Sequence, residues 1–233
     1  MSRGELRHGE YHQNRGVWIR LATAFRDHSR PALFLDRDGV IVEERNYLRE
    51  PESVMLIESA AETIRYANRE GVPVVIVTNQ AGIGRGYYDW HAFEAVDREI
   101  SRRLNEREAK IDAVLACPFH PEGKNPWRHQ EHPARKPRPG MLFAAAELLN
   151  LRLSESWIVG DHSTDIEAGR AAGLFGGLHV LTGHGLRERA IVTGLSMAGF
   201  QLLLGSSIAD AQPLIASLAR IGSSSEGTPD FSK

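Results

Sequence analysis

The segment at residues 32–40 has the sequence ALFLDRDGV, and its pattern decides the fold class. Four consecutive apolar residues are followed by Asp36, Asp38 and Gly39. A continuous apolar run is typical of a strand that is buried on both faces of a sheet. Acidic residues at positions i and i+2 lie on the same side of an extended chain, and a glycine then allows a sharp turn. The two acids are either solvated in that turn, or they divide the roles of nucleophile and acid or base.

Two further apolar runs end in the same way. The run at residues 72–77 stops at Thr78, and the run at residues 157–159 is followed by a glycine and Asp161. Helical patterns lie between the runs, and this alternation predicts a parallel sheet flanked by helices. Ligands bind at the carboxyl ends of the strands in such sheets, so we expect Asp36, Thr78 and Asp161 to face one crevice.

Composition limits the classes of function. The chain has 233 residues, 42% of them hydrophobic, and 28 basic residues against 30 acidic ones give a net charge of −2. This balance gives no reason to expect nucleic acid or an anionic membrane as a partner. Cys117 is the single cysteine, so an internal disulfide is excluded. Without a leader or an apolar membrane span, we expect a cytoplasmic protein. We also expect a monomer or a weak oligomer.

The chain ends differ from its centre. We expect residues 1–30 to form an N-terminal extension that is partly helical or flexible. Its apolar patch of Trp18, Ile19, Leu21 and Phe25 predicts a surface helix. Residues 31–222 are expected to form one domain, and residues 223–233 a flexible tail. Inside the domain, sequence signals predict helix starts at the capping boxes of residues 59–62 and 164–167, at Asp89, and at Met141.

Four separated motifs resemble those of the haloacid dehalogenase-like phosphatases. They are Asp36-x-Asp38-Gly39, the strand that ends in Thr78-Asn79, Lys136, and Gly160-Asp161. More narrowly, FLDRDGV at residues 34–40, VTNQAGIGRG at 77–86, CPFHP at 117–121 and RKPRPG at 135–140 resemble the D,D-heptose 1,7-bisphosphate phosphatases. Those enzymes are close relatives of the histidinol-phosphate phosphatases. The resemblance covers residues 31–185.

The resemblance implies an α/β fold with a Rossmann-like parallel sheet. The gaps between Asp36, Thr78 and Lys136 leave no room for a large cap domain. The resemblance further implies a Mg²⁺-dependent phosphomonoesterase in which Asp36 attacks phosphorus and Asp38 acts as acid and then base. Mg²⁺ would be held by the Asp36 carboxylate, the Asp38 backbone carbonyl and Asp161. Thr78 and Lys136 would contact the phosphoryl oxygens.

The resemblance also implies a set of substrate contacts around a small phosphorylated sugar. These are Glu44, Arg45, Asn46, Tyr47, Thr78, Asn79, Gln80, Ala81, Arg135 and Lys136. Arg135 is a forked donor that suits a second anionic group, or it is a solvated arginine. Asp165 either orients Lys136 or a metal-bound water, or it solvates the start of a helix. The loop at residues 117–134 is the expected lid over the crevice.

Two departures from the family pattern leave questions open. In the heptose phosphatases the lid loop binds structural zinc through cysteines and a histidine, whereas Phe119 stands at the histidine position here. Four nearby side chains offer a replacement CysHis₃ set: Cys117, His120, His129 and His132. The alternative is a metal-free loop held by its prolines. His162 stands where those enzymes carry lysine, so histidinol phosphate or another small phosphate ester is the alternative substrate, and a non-catalytic binding protein is the alternative class.

Overall fold

The computed structural model describes residues 9–22 and 29–224 of the chain. Its centre is an eight-stranded sheet with the order β1-β2-β5-β4-β3-β6-β7-β8. The strands are β1 (Glu10–His12), β2 (Val17–Leu21), β3 (Leu33–Leu35), β4 (Val74–Asn79), β5 (Ala113–Cys117), β6 (Trp157–Gly160), β7 (Gly176–His179) and β8 (Gln201–Leu204). Strands β3 to β8 are parallel to one another, whereas β2 runs antiparallel to β5 and to β1. The predicted parallel sheet is therefore extended into a mixed one.

Helices cover both faces of the sheet. They are α1 (Ala60–Arg69), α2 (Ala81–Arg85), α3 (Trp90–Asn105), α4 (Gly140–Leu149), α5 (Ser163–Ala171), α6 (Gly185–Gly194) and α7 (Gln212–Ser224). Leu33 and Leu35 pack into a core with α1, α3 and α7, and Phe34 packs into a second core with α4 and α5. Successive strand residues point to opposite faces, so the uninterrupted apolar run of β3 serves both cores. No helix among the described residues is long and apolar enough to cross a membrane.

Several predicted helix boundaries agree with the structure, and two capping predictions are wrong. The Asp89 side chain caps α3 by accepting from the Ala92 N–H at 2.9 Å. Ser59 precedes α1 but makes no side-chain cap bond. Helix α5 begins two residues earlier than predicted, with His162 in place of Thr164 at the N-cap, and Asp165 accepts from the His162 N–H at 3.0 Å. That bond replaces the predicted cap from Thr164.

The N-terminal extension is the main correction to the predicted fold. Residues 17–21 form strand β2, not a helix, and Phe25 lies outside the described residues. Trp18 belongs to one core and Ile19 to the other, because pairing with β5 makes β2 an inner strand that is buried on both faces. At the other end of the chain α7 continues to Ser224, past the predicted boundary at 222, and residues 225–233 lie outside the described part.

The strand order brings three sequence motifs together. Strand β3 lies between β4 and β6, with Leu35 paired to Ile76 and to Val159. The carboxyl ends of these three strands are therefore adjacent at the middle of the sheet, as the apolar runs predicted. The described residues between Asp36 and Lys136 hold no inserted cap domain, which also agrees with the predicted fold.

Candidate active site

A buried lysine lies at the centre of the crevice. The Lys136 ammonium is 2.9 Å from Asp36 Oδ1 and 2.6 Å from Asp165 Oδ1, and it donates to the Val77 carbonyl at 2.8 Å. Burial alone would lower the pKa of Lys136, but the charges of Asp165 and Asp36 outweigh burial and raise it. Lys136 is therefore a permanent positive charge beside the Asp36 carboxylate. Asp165 makes both kinds of contact that the sequence suggested, because Oδ1 faces Lys136 and Oδ2 accepts from the His162 N–H at the start of α5.

Three carboxylates, two of them buried and that of Asp36 half-buried, form a cluster that suits a hard cation. Oxygen atoms of Asp36, Asp161 and Asp165 lie within 4.8 Å of one another. Burial raises the pKa of Asp36 to about 7 and, together with the charge of Asp36, raises the pKa of Asp161 to about 9. One lysine thus leaves the negative charge of the cluster incompletely balanced. Oxygen donors with excess negative charge are what Mg²⁺ requires, so the residues present fit this ion.

Asp161 is held from several sides. Its Oδ2 accepts from the backbone N–H of His184 at 2.7 Å. A Cβ atom added to Gly39 or Gly183, both of which have positive φ, would collide with the Asp161 carboxylate. Glycine is therefore needed twice, because the main chain must pass directly over this carboxylate.

Asp38 is held by an arginine that the sequence analysis did not single out. Arg37 is 1% exposed, and its Nε and Nη2 both donate to the Asp38 carboxylate, the shortest contact being 2.8 Å. The Arg37 guanidinium also lies 5.4 Å from the centre of the Phe93 ring. Such a two-pronged bond fixes the carboxylate plane as well as its position. Asp38 keeps 19% of its side-chain surface exposed, so it still borders the crevice.

A chain of amide and hydroxyl groups links Asp38 to strand β4. Gln80 Nε2 donates to Asp38 Oδ2 at 3.2 Å and to Thr78 Oγ1 at 2.8 Å. The Tyr88 hydroxyl donates to Gln80 Oε1 at 2.5 Å. Asn79 instead exchanges two bonds of 3.1 Å with the backbone of Lys136. Thr78 and Gln80 are therefore linked to Asp38, whereas Asn79 holds the backbone of Lys136.

The predicted substrate segment at residues 44–47 lies at the rim. Glu44 is 4.0 Å from His184, the residue whose N–H holds Asp161. The Tyr47 hydroxyl accepts from Arg85 Nη1 at 2.9 Å. Arg45 pairs with Glu43 at 2.8 Å at a more exposed position. Glu44 and Tyr47 thus border the crevice on two sides.

Arginines define the rim on the side of the lid loop. Arg135 directly precedes Lys136 and donates to the Phe119 carbonyl at 3.0 Å. Arg85, on α2, is 2.7 Å from Glu122 of the lid loop. Arg85 was not among the predicted contacts, although it lies inside the matched VTNQAGIGRG motif.

The structure does not bring the predicted CysHis₃ set together. Among the described residues, only the three aspartates form a cluster with metal-binding spacing. Cys117 is buried at the end of β5, and burial raises the pKa of its thiol to about 12. His120 contacts Arg85, and the His132 ring stacks on Phe119 with centroids 3.6 Å apart. His132 is thus engaged in an aromatic stack and His120 in a contact with an arginine, whereas the zinc hypothesis requires both as metal ligands.

Comparisons with known proteins identify the family. Residues 133–193 match the family profile described as HAD-hydrolase-like. A D-glycero-beta-D-manno-heptose-1,7-bisphosphate 7-phosphatase from Mesorhizobium japonicum is 47% identical over 161 residues, which are 68% of this chain and 74% of the relative. The enzyme of the same name from Escherichia coli is 35% identical over 160 residues, or 69% of this chain and 84% of the relative.

Solved structures agree with this match. A Mesorhizobium loti protein assigned as a HAD-like phosphatase is 38% identical, with a TM-score of 0.78 over 91% of this chain and 97% of the other. The D,D-heptose 1,7-bisphosphate phosphatase from B. bronchiseptica, complexed with magnesium and phosphate, is 26% identical, with a TM-score of 0.70 over 80% and 98%. The chain therefore belongs to the D-glycero-beta-D-manno-heptose-1,7-bisphosphate 7-phosphatase family of haloacid dehalogenase-like hydrolases, and it is a phosphatase.

Proposed function

We propose that this phosphatase removes the 7-phosphate of D-glycero-beta-D-manno-heptose 1,7-bisphosphate in a Mg²⁺-dependent reaction. The observation that carries the chemistry is the contact between the Asp36 carboxylate and the Lys136 ammonium, next to Asp38 and Asp161. We infer the substrate from the family members that the chain resembles, which are named as phosphatases of this bisphosphate.

In the first half of the reaction, a carboxylate oxygen of Asp36 attacks phosphorus. The bond between phosphorus and the ester oxygen breaks, and the electron pair stays on that oxygen. Asp38 gives it a proton, so the sugar leaves as an alcohol and an aspartyl-phosphate remains on Asp36. Lys136 stabilises the charge that spreads over the phosphoryl oxygens.

In the second half, Asp38 is a carboxylate and takes a proton from water. The water oxygen attacks phosphorus, the bond to Asp36 breaks, and inorganic phosphate leaves. The bidentate contact from Arg37 keeps the Asp38 carboxyl group in one place for both steps. We assign the metal ligands to the carboxylates of Asp36 and Asp161 and to the Asp38 backbone carbonyl. Mg²⁺ supplies charge neutralisation and orientation of the phosphoryl group when it is bound.

The rim supports a substrate with a second anionic group. Arg135 adjoins Lys136 in sequence, and Arg85 contacts Tyr47. Two guanidinium groups beyond the reacting phosphate favour a bisphosphate over a monophosphate, because each is a forked donor for phosphate oxygens. We therefore propose that the 1-phosphate lies toward this rim while the 7-phosphate reacts at Asp36.

A panel of phosphate esters tests this function. Phosphate release is measured with Mg²⁺ and with excess chelator for the heptose 1,7-bisphosphate, sugar monophosphates, histidinol phosphate and nucleotides. We expect the heptose bisphosphate to react fastest and release to stop with chelator. Asp36→Asn should be inactive, whereas Glu62→Gln, an exposed acid on α1, should match the parent protein. Preference for histidinol phosphate would overturn the substrate, and an active Asp36→Asn protein would overturn the nucleophile.

A further inference from the structure

A buried histidine contacts the main chain of Asp161, and the mechanism above does not use it. His179 ends strand β7 and has 0% of its surface exposed. Its Nε2 lies 3.0 Å from the backbone carbonyl oxygen of Asp161. Arg189, on α6, places its Nε 3.0 Å from the other ring nitrogen, Nδ1.

The guanidinium decides which ring nitrogen carries the proton. An arginine Nε–H can only donate, so His179 Nδ1 must be the unprotonated, accepting nitrogen. The proton of the neutral ring is then on Nε2, and it is donated to the Asp161 carbonyl. With the opposite tautomer, two acceptors would face each other at 3.0 Å. Arg189 therefore selects the tautomer that binds the Asp161 main chain.

Arg189 is itself fixed by the strand ends. Its Nη2 lies 3.2 Å from the His179 carbonyl and 2.6 Å from the Gly205 carbonyl, just beyond β8. The guanidinium thus joins the carboxyl ends of β7 and β8 to the loop that follows β6. The contact from His184 holds the carboxylate of Asp161, whereas the His179 contact holds its main chain.

We propose that Arg189 and His179 are positioning residues that set the affinity of the site for a divalent cation. This inference rests on the proposed function, in which Asp161 is a metal ligand. Groups that orient a metal ligand through hydrogen bonds commonly change metal affinity by about 10–100-fold when they are removed. We call the contacts from Arg189 to His179 and from His179 to the Asp161 carbonyl the relay. Loss of the relay lets the Asp161 main chain shift and weakens metal binding. The phosphoryl-transfer residues Asp36 and Asp38 keep their own contacts.

Four variants test the relay through Mg²⁺ binding to the metal-free protein, measured by titration calorimetry without substrate. His179→Leu removes the donor and should weaken Mg²⁺ binding by about tenfold or more. His179→Gln keeps a donor at a similar reach and should stay within about threefold of the parent. Arg189→Met leaves the tautomer unselected and should weaken binding. His179→Gln combined with Arg189→Met should bind as His179→Gln does, because an amide donor needs no tautomer selection.

Activity and a control variant complete the test. At saturating Mg²⁺ the kcat of Arg189→Met should return close to the parent value, whereas the Mg²⁺ concentration for half-maximal rate should rise. Arg170→Met removes another arginine-to-carbonyl contact, to Ser196 at 2.8 Å, and should leave Mg²⁺ affinity unchanged. If Arg189 had a merely structural role, Arg189→Met would behave like the control Arg170→Met. Both variants would then have a lower melting temperature and an unchanged affinity for Mg²⁺.

The outcomes separate this inference from the proposed function. If Asp161→Asn binds Mg²⁺ as the parent does, the metal assignment fails. If Asp161→Asn loses binding but Arg189→Met and His179→Leu bind normally, the relay fails and the function stands. Should His179→Leu not fold, Arg189→Met and its combination with His179→Gln still decide. If the combined variant loses as much Mg²⁺ affinity as the two single variants together, the tautomer argument is overturned.

Discussion

Replacing Lys136 by methionine removes the buried positive charge that faces two carboxylates. The contacts of 2.9 Å to Asp36 and 2.6 Å to Asp165 correspond to a Coulomb attraction of about 6 kcal/mol each at an effective dielectric constant of about 20. The cost of burying the charges offsets most of this attraction. Breaking a buried ion pair on one side costs about 3–5 kcal/mol, because the remaining charge is left without a partner. We expect a loss of that size in the free energy of unfolding of the metal-free protein.

The same substitution should lower kcat by about 10²–10³-fold, the scale for one lost electrostatic stabiliser of a transition state. Urea denaturation measures the stability, and phosphate release at saturating Mg²⁺ and substrate measures the rate. Adding Asp165→Asn should restore part of the stability and none of the rate, because Asp165 is assigned to the lysine and not to the phosphate. Lys110→Met, at an exposed lysine, is the matched control.

Two results would refute this reasoning. A Lys136→Met protein with a nearly normal kcat would show that the ammonium does not act on the phosphoryl group. A change in unfolding free energy below about 0.5 kcal/mol, the range of ordinary surface substitutions, would show that the two carboxylates are not charged partners of Lys136.

Burial raises the pKa of Asp161 from 3.8 to about 9, so the metal-free folded protein binds a proton that the unfolded chain has released. The stability that this bound proton contributes is therefore lost as the pH rises from about 4 to about 9. Asp161→Asn should raise the free energy of unfolding of the metal-free protein by about 1–3 kcal/mol at pH 8 and by less at pH 5. Equal increases at the two pH values in urea titrations would contradict this. Burial raises the pKa of the Cys117 thiol to about 12, so the native protein should resist iodoacetamide at pH 8 and react in urea, as mass spectrometry would show. Rapid native alkylation would mean an exposed thiol. The Tyr11 ring packs on Trp127 of the lid loop with centroids 4.9 Å apart, so Tyr11→Ala should raise KM for the heptose bisphosphate by about 3–10-fold while kcat changes less. An unchanged KM would show that the N-terminal strands do not position this loop.

The sequence predicted the centre of the site because the signals there are local. Each of β3, β4 and β6 is a short apolar run, and the polar residues at their ends need only a parallel arrangement to meet. Lys136 was different, since nothing in its own neighbourhood predicts burial. Its role came from resemblance, and the structure explains it through Asn79, which exchanges two bonds with its backbone.

The features that the sequence did not predict depend on partners far along the chain. The patch at Trp18 fits an amphipathic helix as well as a strand, and pairing with β5 decides between them. Arg37 reads as a surface residue between two acids until Phe93 and Gln80 are placed beside it. The tautomer of His179, and with it the contact to Asp161, can be inferred only when α6 places Arg189 beside its ring. These contacts are set by tertiary packing, which a local pattern does not contain.

Trapping the covalent intermediate tests the central claim most directly. The protein is mixed with Mg²⁺ and the heptose bisphosphate, quenched in acid within one turnover, and its peptides are mapped by mass spectrometry. The account predicts phosphate on the peptide that carries Asp36, and none on that peptide in Asp36→Asn, which lacks the nucleophile. Steady turnover with no phosphorylated peptide, or with phosphate on a residue other than Asp36, would contradict the account.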